Sequence, residues 1–150
     1  MAHSYAQLYY HIVFSTKERK PYIDAELETR LHPMLGGIVR DLDGVALAVG
    51  GIEDHVHILA SLRPKTAPSD ALRVIKANST GWVHDEWPDR SVFAWQTGFG
   101  VFSVSASNLE EVRQYVLNQR EHHRTMTFEE EYLFLLKKHG IEYDERFVFD

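Results

Sequence analysis

The apolar stretch "YAQLYYHIVFS", Tyr5 to Ser15, is rich in aromatic and β-branched residues and predicts a first strand. A helical period follows. Leu27, Leu31, Leu35, Ile38 and Leu42 recur at three- and four-residue spacing, which predicts an amphipathic helix capped by Asp24 and stopped at Asp43-Gly44, with Pro33 marking a kink or a late start. "VALAVGGI" and "HVHILASL" return to strand patterning and predict a hairpin, with Gly50-Gly51 and Glu53-Asp54 at the reversal. Ser69 is placed to cap a second helix whose inner face runs Leu72, Ile75, Ser79, Trp82 and Val83, whose outer face carries Arg73 and Lys76, and which Pro88 closes.

From Val92 to Ser105 strand material returns, broken by Gly98 and Gly100, and the small polar run "SVSASN" that ends it reads as a hinge. Asn108 with Glu111 forms a capping-box signature for a third helix reaching about His122, with Leu109, Val112 and Val116 on its apolar face. Thr127 with Glu130 repeats the signature. The fourth helix, "FEEEYLFLLKKHG", ends with Lys137, Lys138 and His139 in the last turn and Gly140 beyond, as the helix dipole and a left-handed cap favour. The order β-α-β-β-α-β predicts an α+β fold, a ferredoxin-like or RRM-like split βαβ with an antiparallel sheet, followed by two C-terminal helices. A chain of 150 residues suits one such domain, 1–150.

Composition narrows the chemistry. With no cysteine, disulfides and thiolate sites are excluded, and any metal must be held by nitrogen and oxygen. The N-terminal apolar run is short, interrupted by His11 and followed by charge, so neither a signal peptide nor a membrane span is expected, and a cytoplasmic protein is. A net charge of −6 argues against a nucleic-acid partner until its distribution is considered. Seven acids against three bases lie between Glu129 and Asp150, which leaves −2 for the rest, where "STKERK" and "SLRPK" gather positive charge near strand ends.

The candidate chemistry begins at His55-Val56-His57. Side chains two apart on a strand share a face with Cα atoms roughly 6.6 Å apart, so both imidazoles can address one ion while Val56 faces the core. Two histidines are an incomplete site, and short motifs of this kind are mostly incidental. In "VRQYVLNQREHH", Tyr115 and Gln119 stack on one helix face, with His123 one turn further.

Together "HVH" on a strand, "YxxxQ" on a late helix, "YYHIVFSTKERK", "GGIEDHVHIL", "IKANST" and "QREHHR" make the chain resemble the single-tyrosine HUH transposases of the insertion-sequence 200/605 type over nearly its whole length. The resemblance implies that His55, His57 and Gln119 hold a divalent ion, Mg²⁺ or Mn²⁺, and that Tyr115 is the nucleophile. It further implies cleavage and rejoining of hairpin-bearing single-stranded DNA through a 5′-phosphotyrosine, by a homodimer whose tyrosine helix acts in cis or in trans. Two imidazoles and an amide are neutral, so the ion keeps its charge for a phosphate oxygen, and nitrogen donors suit Mn²⁺ better than Mg²⁺. No phosphate-binding "GxxxxGK[ST]" is present, and none is required if the phosphodiester is conserved on Tyr115.

For phosphate contact the candidates are Lys17, Arg19, Lys20, Arg63, Lys65, Arg73 and Lys76, with Trp95, Phe99 and Phe102 as aromatics for base stacking or for the core. The competing reading is a non-cleaving single-strand-binding module derived from such a transposase. A metal-free phosphoesterase would need two H-x-T motifs, and only "HRT" at His123 to Thr125 is found.

Overall fold

A computed structural model describes residues 4–150. The first strand, β1, is Tyr9–Ser15, shorter than its pattern because its neighbours end at Ser61 and Val104, both paired with Tyr9. The first helix, α1 (Ala25–Asp41), leads to β2 (Val45–Ile52) and β3 (His55–Ser61), joined across the Glu53-Asp54 turn. Then follow α2 (Pro68–Glu86) and β4 (Gly100–Val104). The strands form one antiparallel sheet ordered β2-β3-β1-β4, the split βαβ arrangement the sequence predicts.

Alternation decides which residues go where. Ile12 and Phe14 of β1 pair with Ile58 and Val56 of β3, and this face packs on Leu27, Leu31, Leu35, Leu72 and Ile75 of α1 and α2. The intervening residues, among them His11, Val13, His55, His57 and Leu59, point to the other face. That face is covered by α3 (Leu109–Leu117), α4 (Gln119–His122) and α5 (Phe128–Lys138), through a cluster around Phe102, Phe128, Tyr132 and Leu135 and a smaller one of Ala48, Leu59 and Val116.

Four local expectations are corrected. Pro33 neither kinks nor delays α1, since its position is exposed and the helix is held by the buried leucines on its other side. Ser69 is not the cap of α2; Ala67 takes that position, with Pro68 at the first helical residue where a missing N–H is harmless. Asn108 makes no side-chain cap, because a 3-10 turn over Ala106–Asn108 leads directly into α3. The third helix is also two helices, divided at Asn118 (φ −101°, ψ 28°).

The caps at Asp24 and Thr127 are present, the latter with both halves of its box, and Gly140 takes the left-handed conformation (φ 67°) that ends α5. Asp24 accepts from the Leu27 amide at 3.0 Å, and that bond, followed by Arg90, holds its carboxyl below the usual aspartate value. Asp24→Ala should lower stability by about 1 kcal/mol in urea unfolding. Because the folded-state value is depressed, the contribution is complete above the unfolded value of about 3.9 and lost as pH falls through the lower one.

Candidate active site

The two strand histidines lie side by side on the covered face, both fully buried, while Val56 between them is in the core. Their register places His55 opposite Ser15 and Ile52, and His57 opposite Val13 and Gly50. From the helical layer, α4 contributes Gln119, 1% exposed, and α5 contributes Glu131, 0% exposed. His55 Nε2 is 3.1 Å from Gln119 Oε1, and His57 Nε2 is 3.0 Å from Glu131 Oε1. Gln119 Nε2 donates to the Tyr115 carbonyl at 3.0 Å, which turns its Oε1 toward the histidines.

His55, His57 and Glu131 each present a ligand atom within 4.8 Å of the others and form a buried group able to hold a metal ion. The donor chemistry fits a divalent cation: imidazole nitrogens and a carboxylate oxygen converge in a site closed to solvent, where one positive charge has several partners. His55 is oriented from behind by Asp54, whose carboxylate accepts from Nδ1 at 2.7 Å. Behind His57 stands His11 of β1, with Nε2 2.7 Å from His57 Nδ1.

Electrostatics separates the two histidines. Burial alone would lower both; for His55 the bonds to Asp54 and Glu131 overcome it and push the imidazole up to about 9. For His57 burial prevails over the attraction of Glu131 and takes it down to about 4. Glu131, despite a burial penalty, is held well below the usual carboxylate range by hydrogen bonds from His123, His55 and His57.

Tyr115 reaches the same carboxylate from α3. Its hydroxyl donates to Glu131 Oε2 at 2.5 Å, and its ring lies 5.8 Å from that of His57 and 4.5 Å from that of His122. Burial first, and the Glu131 charge second, raise the phenol above its ordinary value. A cavity of about 150 Å³ opens beside it, walled by His11, Ser105, Val112, Lys138 and His139. Tyrosine, glutamine and both histidines therefore meet within a single chain.

Glu131, His11 and His123 were not singled out as ligands by the sequence. The signal for Glu131 was present: Phe128, Glu131, Tyr132, Leu135 and Leu136 occupy one helical face, so an acid stands at an apolar position of α5. His11 and His57 are diagonal neighbours across the β1–β3 ladder, which only the register reveals.

The seven basic candidates do not form one patch. Lys17 and Lys20 lie beyond the Ser15 end of β1, beside His55, whereas Arg63 and Lys65 follow Ser61 at the opposite end of the sheet; all four are exposed, as is Arg73. Arg19 is half-buried, donating to the Phe149 carbonyl and covering the Phe149 ring. Lys76 is engaged internally: its ammonium donates to the carbonyls of Gln96, Thr97 and Gly98 and ties down the segment before β4. Trp95 and Phe102 are core residues, leaving Phe99 as the exposed aromatic of the three.

A family model described as "Transposase IS200 like" matches residues 4–119. Among curated proteins the chain is 22% identical over 120 residues to the ISDra2 transposase TnpA of Deinococcus radiodurans, covering 77% of this chain and 86% of that one. It is 25% identical over 126 residues to the transposase for insertion sequence element IS200 of Salmonella typhimurium, covering 81% and 82%. A solved structure described as a transposase from Deinococcus radiodurans superposes with a TM-score of 0.65 at 23% identity, over 79% of this chain and 96% of that one. A REP associates tyrosine transposase bound to a REP hairpin gives a TM-score of 0.53 at 17% identity, over 93% and 73%. Both likenesses are of fold. His123 and Glu131 lie outside the stretch that the family model matches.

Proposed function

The chain belongs to the IS200-like transposase family, and from that premise we propose that it cuts and rejoins single-stranded DNA at hairpin-bearing element ends, with Tyr115 as nucleophile. The observation that carries this reading is the meeting of Tyr115 with the buried histidines through Glu131, whose two oxygens face the phenol and the imidazoles. His55, His57 and Gln119 hold the ion in this reading, Mn²⁺ or Mg²⁺, which when bound supplies positive charge to the scissile phosphate.

The residues of the chain do the rest. Tyr115 Oη attacks phosphorus, the bond to the 3′ oxygen breaks, and a 5′-phosphotyrosine and a free 3′-OH result. Glu131 Oε2 accepts the phenolic hydrogen bond and orients Oη, the phenolic proton passes to water as the attack proceeds, and the leaving 3′ oxygen recovers a proton through water. Rejoining is the reverse attack by a 3′-OH, so the phosphodiester is conserved and no nucleotide hydrolysis is required.

Hairpin recognition is supported by the hairpin bound to the REP-associated relative. A homodimer belongs to the reading because an element has two ends, although each site is complete within one chain; size exclusion that yields only monomer with and without hairpin DNA would count against it. Cytoplasmic DNA is the substrate, and no described helix is long and apolar enough to cross a membrane.

The direct test incubates the protein with hairpin-bearing single strands and Mn²⁺ and looks for a protein–DNA adduct that survives denaturation. Chelation should abolish the adduct; DNA affinity without cleavage across several metals would favour the non-cleaving binding module. Lys17 and Lys20, exposed beside the histidine end of the sheet, are placed to contact the incoming strand. Replacing both by glutamine should weaken binding for every sequence and reduce the slope of log K against log salt by roughly 1.4, at about 0.7 per contact on a single strand.

A further inference from the structure

The cavity of about 150 Å³ beside Tyr115 lies between α3 and the second half of α5, and none of His55, His57, Gln119 or Glu131 lines it. Asn108, Val112 and Tyr115 stand at i, i+4 and i+7 and form one wall; Leu135 and Lys138, three apart on α5, belong to the other. The floor is His11 of β1, 4% exposed, whose Nε2 is taken by His57 Nδ1 at 2.7 Å while its own Nδ1 has no partner among the described residues. A buried polar group left unpaired beside a cavity marks a place for an occupant that can bond to it.

The walls describe that occupant. Val112, Leu135 and the Tyr115 ring offer apolar faces, whereas the polar groups, His11 Nδ1 and the Asn108 amide that caps nothing, lie at the floor and the rim. A flat ring with apolar faces and polar edges suits this arrangement, and in a protein that handles single-stranded DNA such a ring is a nucleobase.

The chemistry of cleavage selects which base. In an in-line displacement the attacking Oη and the departing 3′ oxygen lie on opposite sides of phosphorus, so the leaving nucleotide is carried away from Tyr115. The 5′ oxygen of the other nucleotide stays on phosphorus, off the axis of attack, and brings that nucleotide alongside the tyrosine. We propose that the cavity receives the base of the nucleotide that becomes joined to Tyr115 through its 5′ phosphate. The protein thereby reads this base directly, with His11 and Asn108 at its edge and the exposed Lys138 ammonium at the mouth for the next phosphate. The inference deepens the cleavage proposed above and rests on it.

The test places an abasic site at one nucleotide at a time on either side of the scissile bond of a hairpin-bearing strand, and follows single-turnover adduct formation with Mn²⁺. Loss of the base from the nucleotide retained on Tyr115 should slow the unaltered protein about 10- to 100-fold, the size of one lost base-stacking contact. Loss of the base from the leaving nucleotide should cost less. Val112→Phe, which fills the cavity from its α3 wall, should show a similar loss on the intact strand and become indifferent to the abasic site, with thermal melting to confirm its fold. Binding is read separately in Tyr115→Phe, where 2-aminopurine walked along the strand should lose most of its fluorescence at the retained position alone.

Adduct formation as fast without that base as with it would overturn the proposal and leave the cleavage reading standing. So would a base dependence that survives in Val112→Phe, since recognition would then lie within the DNA itself. If no strand forms an adduct, the cleavage reading fails and fluorescence decides the cavity: one quenched position that recovers when Val112→Phe is added keeps it, and no quenched position removes it. The abasic scan and the fluorescence of Tyr115→Phe do not depend on whether Val112→Phe folds.

Discussion

Tyr115→Phe is expected to form no denaturation-resistant adduct with hairpin DNA, a loss of activity on the order of 10³-fold or more, as for other deleted nucleophiles. The substitution keeps the ring, and therefore its packing 4.5 Å from His122 and 5.8 Å from His57. It removes one hydrogen bond, to Glu131 Oε2, while Glu131 retains its contacts to three imidazoles. Stability should accordingly fall by only about 1 kcal/mol. Metal binding should survive, since no ligand is altered. Cleavage assays with end-labelled oligonucleotides, run beside thermal melting, separate a missing nucleophile from a damaged fold. An adduct that persists in the variant would move the nucleophile elsewhere.

The second large effect is expected at Gly50, on β2 directly opposite His57. A Cβ built there would lie 1.9 Å from the Val116 carbonyl oxygen, next in sequence to Tyr115. No rotamer relieves a collision between a Cβ and backbone, so Gly50→Ala must push α3 off the sheet. Overpacking of this kind typically costs about 1–3 kcal/mol, and a clash with backbone belongs at the upper end or beyond. The same displacement should lower adduct formation by on the order of 10²-fold, because Tyr115 moves with α3. Gly81 on the exposed side of α2 is the control, since a methyl group there would meet nothing within 4 Å. Gly81→Ala should stabilise the helix by about 0.5–1 kcal/mol and leave cleavage unchanged. Urea unfolding and the adduct assay on both variants check the contrast.

Much of this arrangement is legible in the chain. Alternation on β1 and β3 assigns His55 and His57 to one face and Val56 to the other, and helical spacing puts Tyr115 and Gln119 on one stripe. Asp24, Thr127 and Gly140 mark helix ends through short-range hydrogen bonds and backbone preferences, which depend on a few neighbouring residues. Where local signals competed with packing they misled: Pro33 lies within a continuous helix, and Lys76 binds three carbonyls of its own chain instead of facing solvent.

By itself, then, the sequence determined the split βαβ order, the pairing of the two strand histidines, the tyrosine-glutamine stripe and the family resemblance. Those are properties of periodicity and short spacing, in which each residue's place follows from its near neighbours. Only the tertiary structure decided that α5 covers the histidine face, that Glu131 stands among His55, His57 and His123 with Tyr115 on its other oxygen, and that the basic residues divide between opposite ends of the sheet. The physical reason is distance along the chain: Glu131 and His57 meet across 74 residues, and an acid can stay charged at an apolar helix position only because partners from a remote strand surround it.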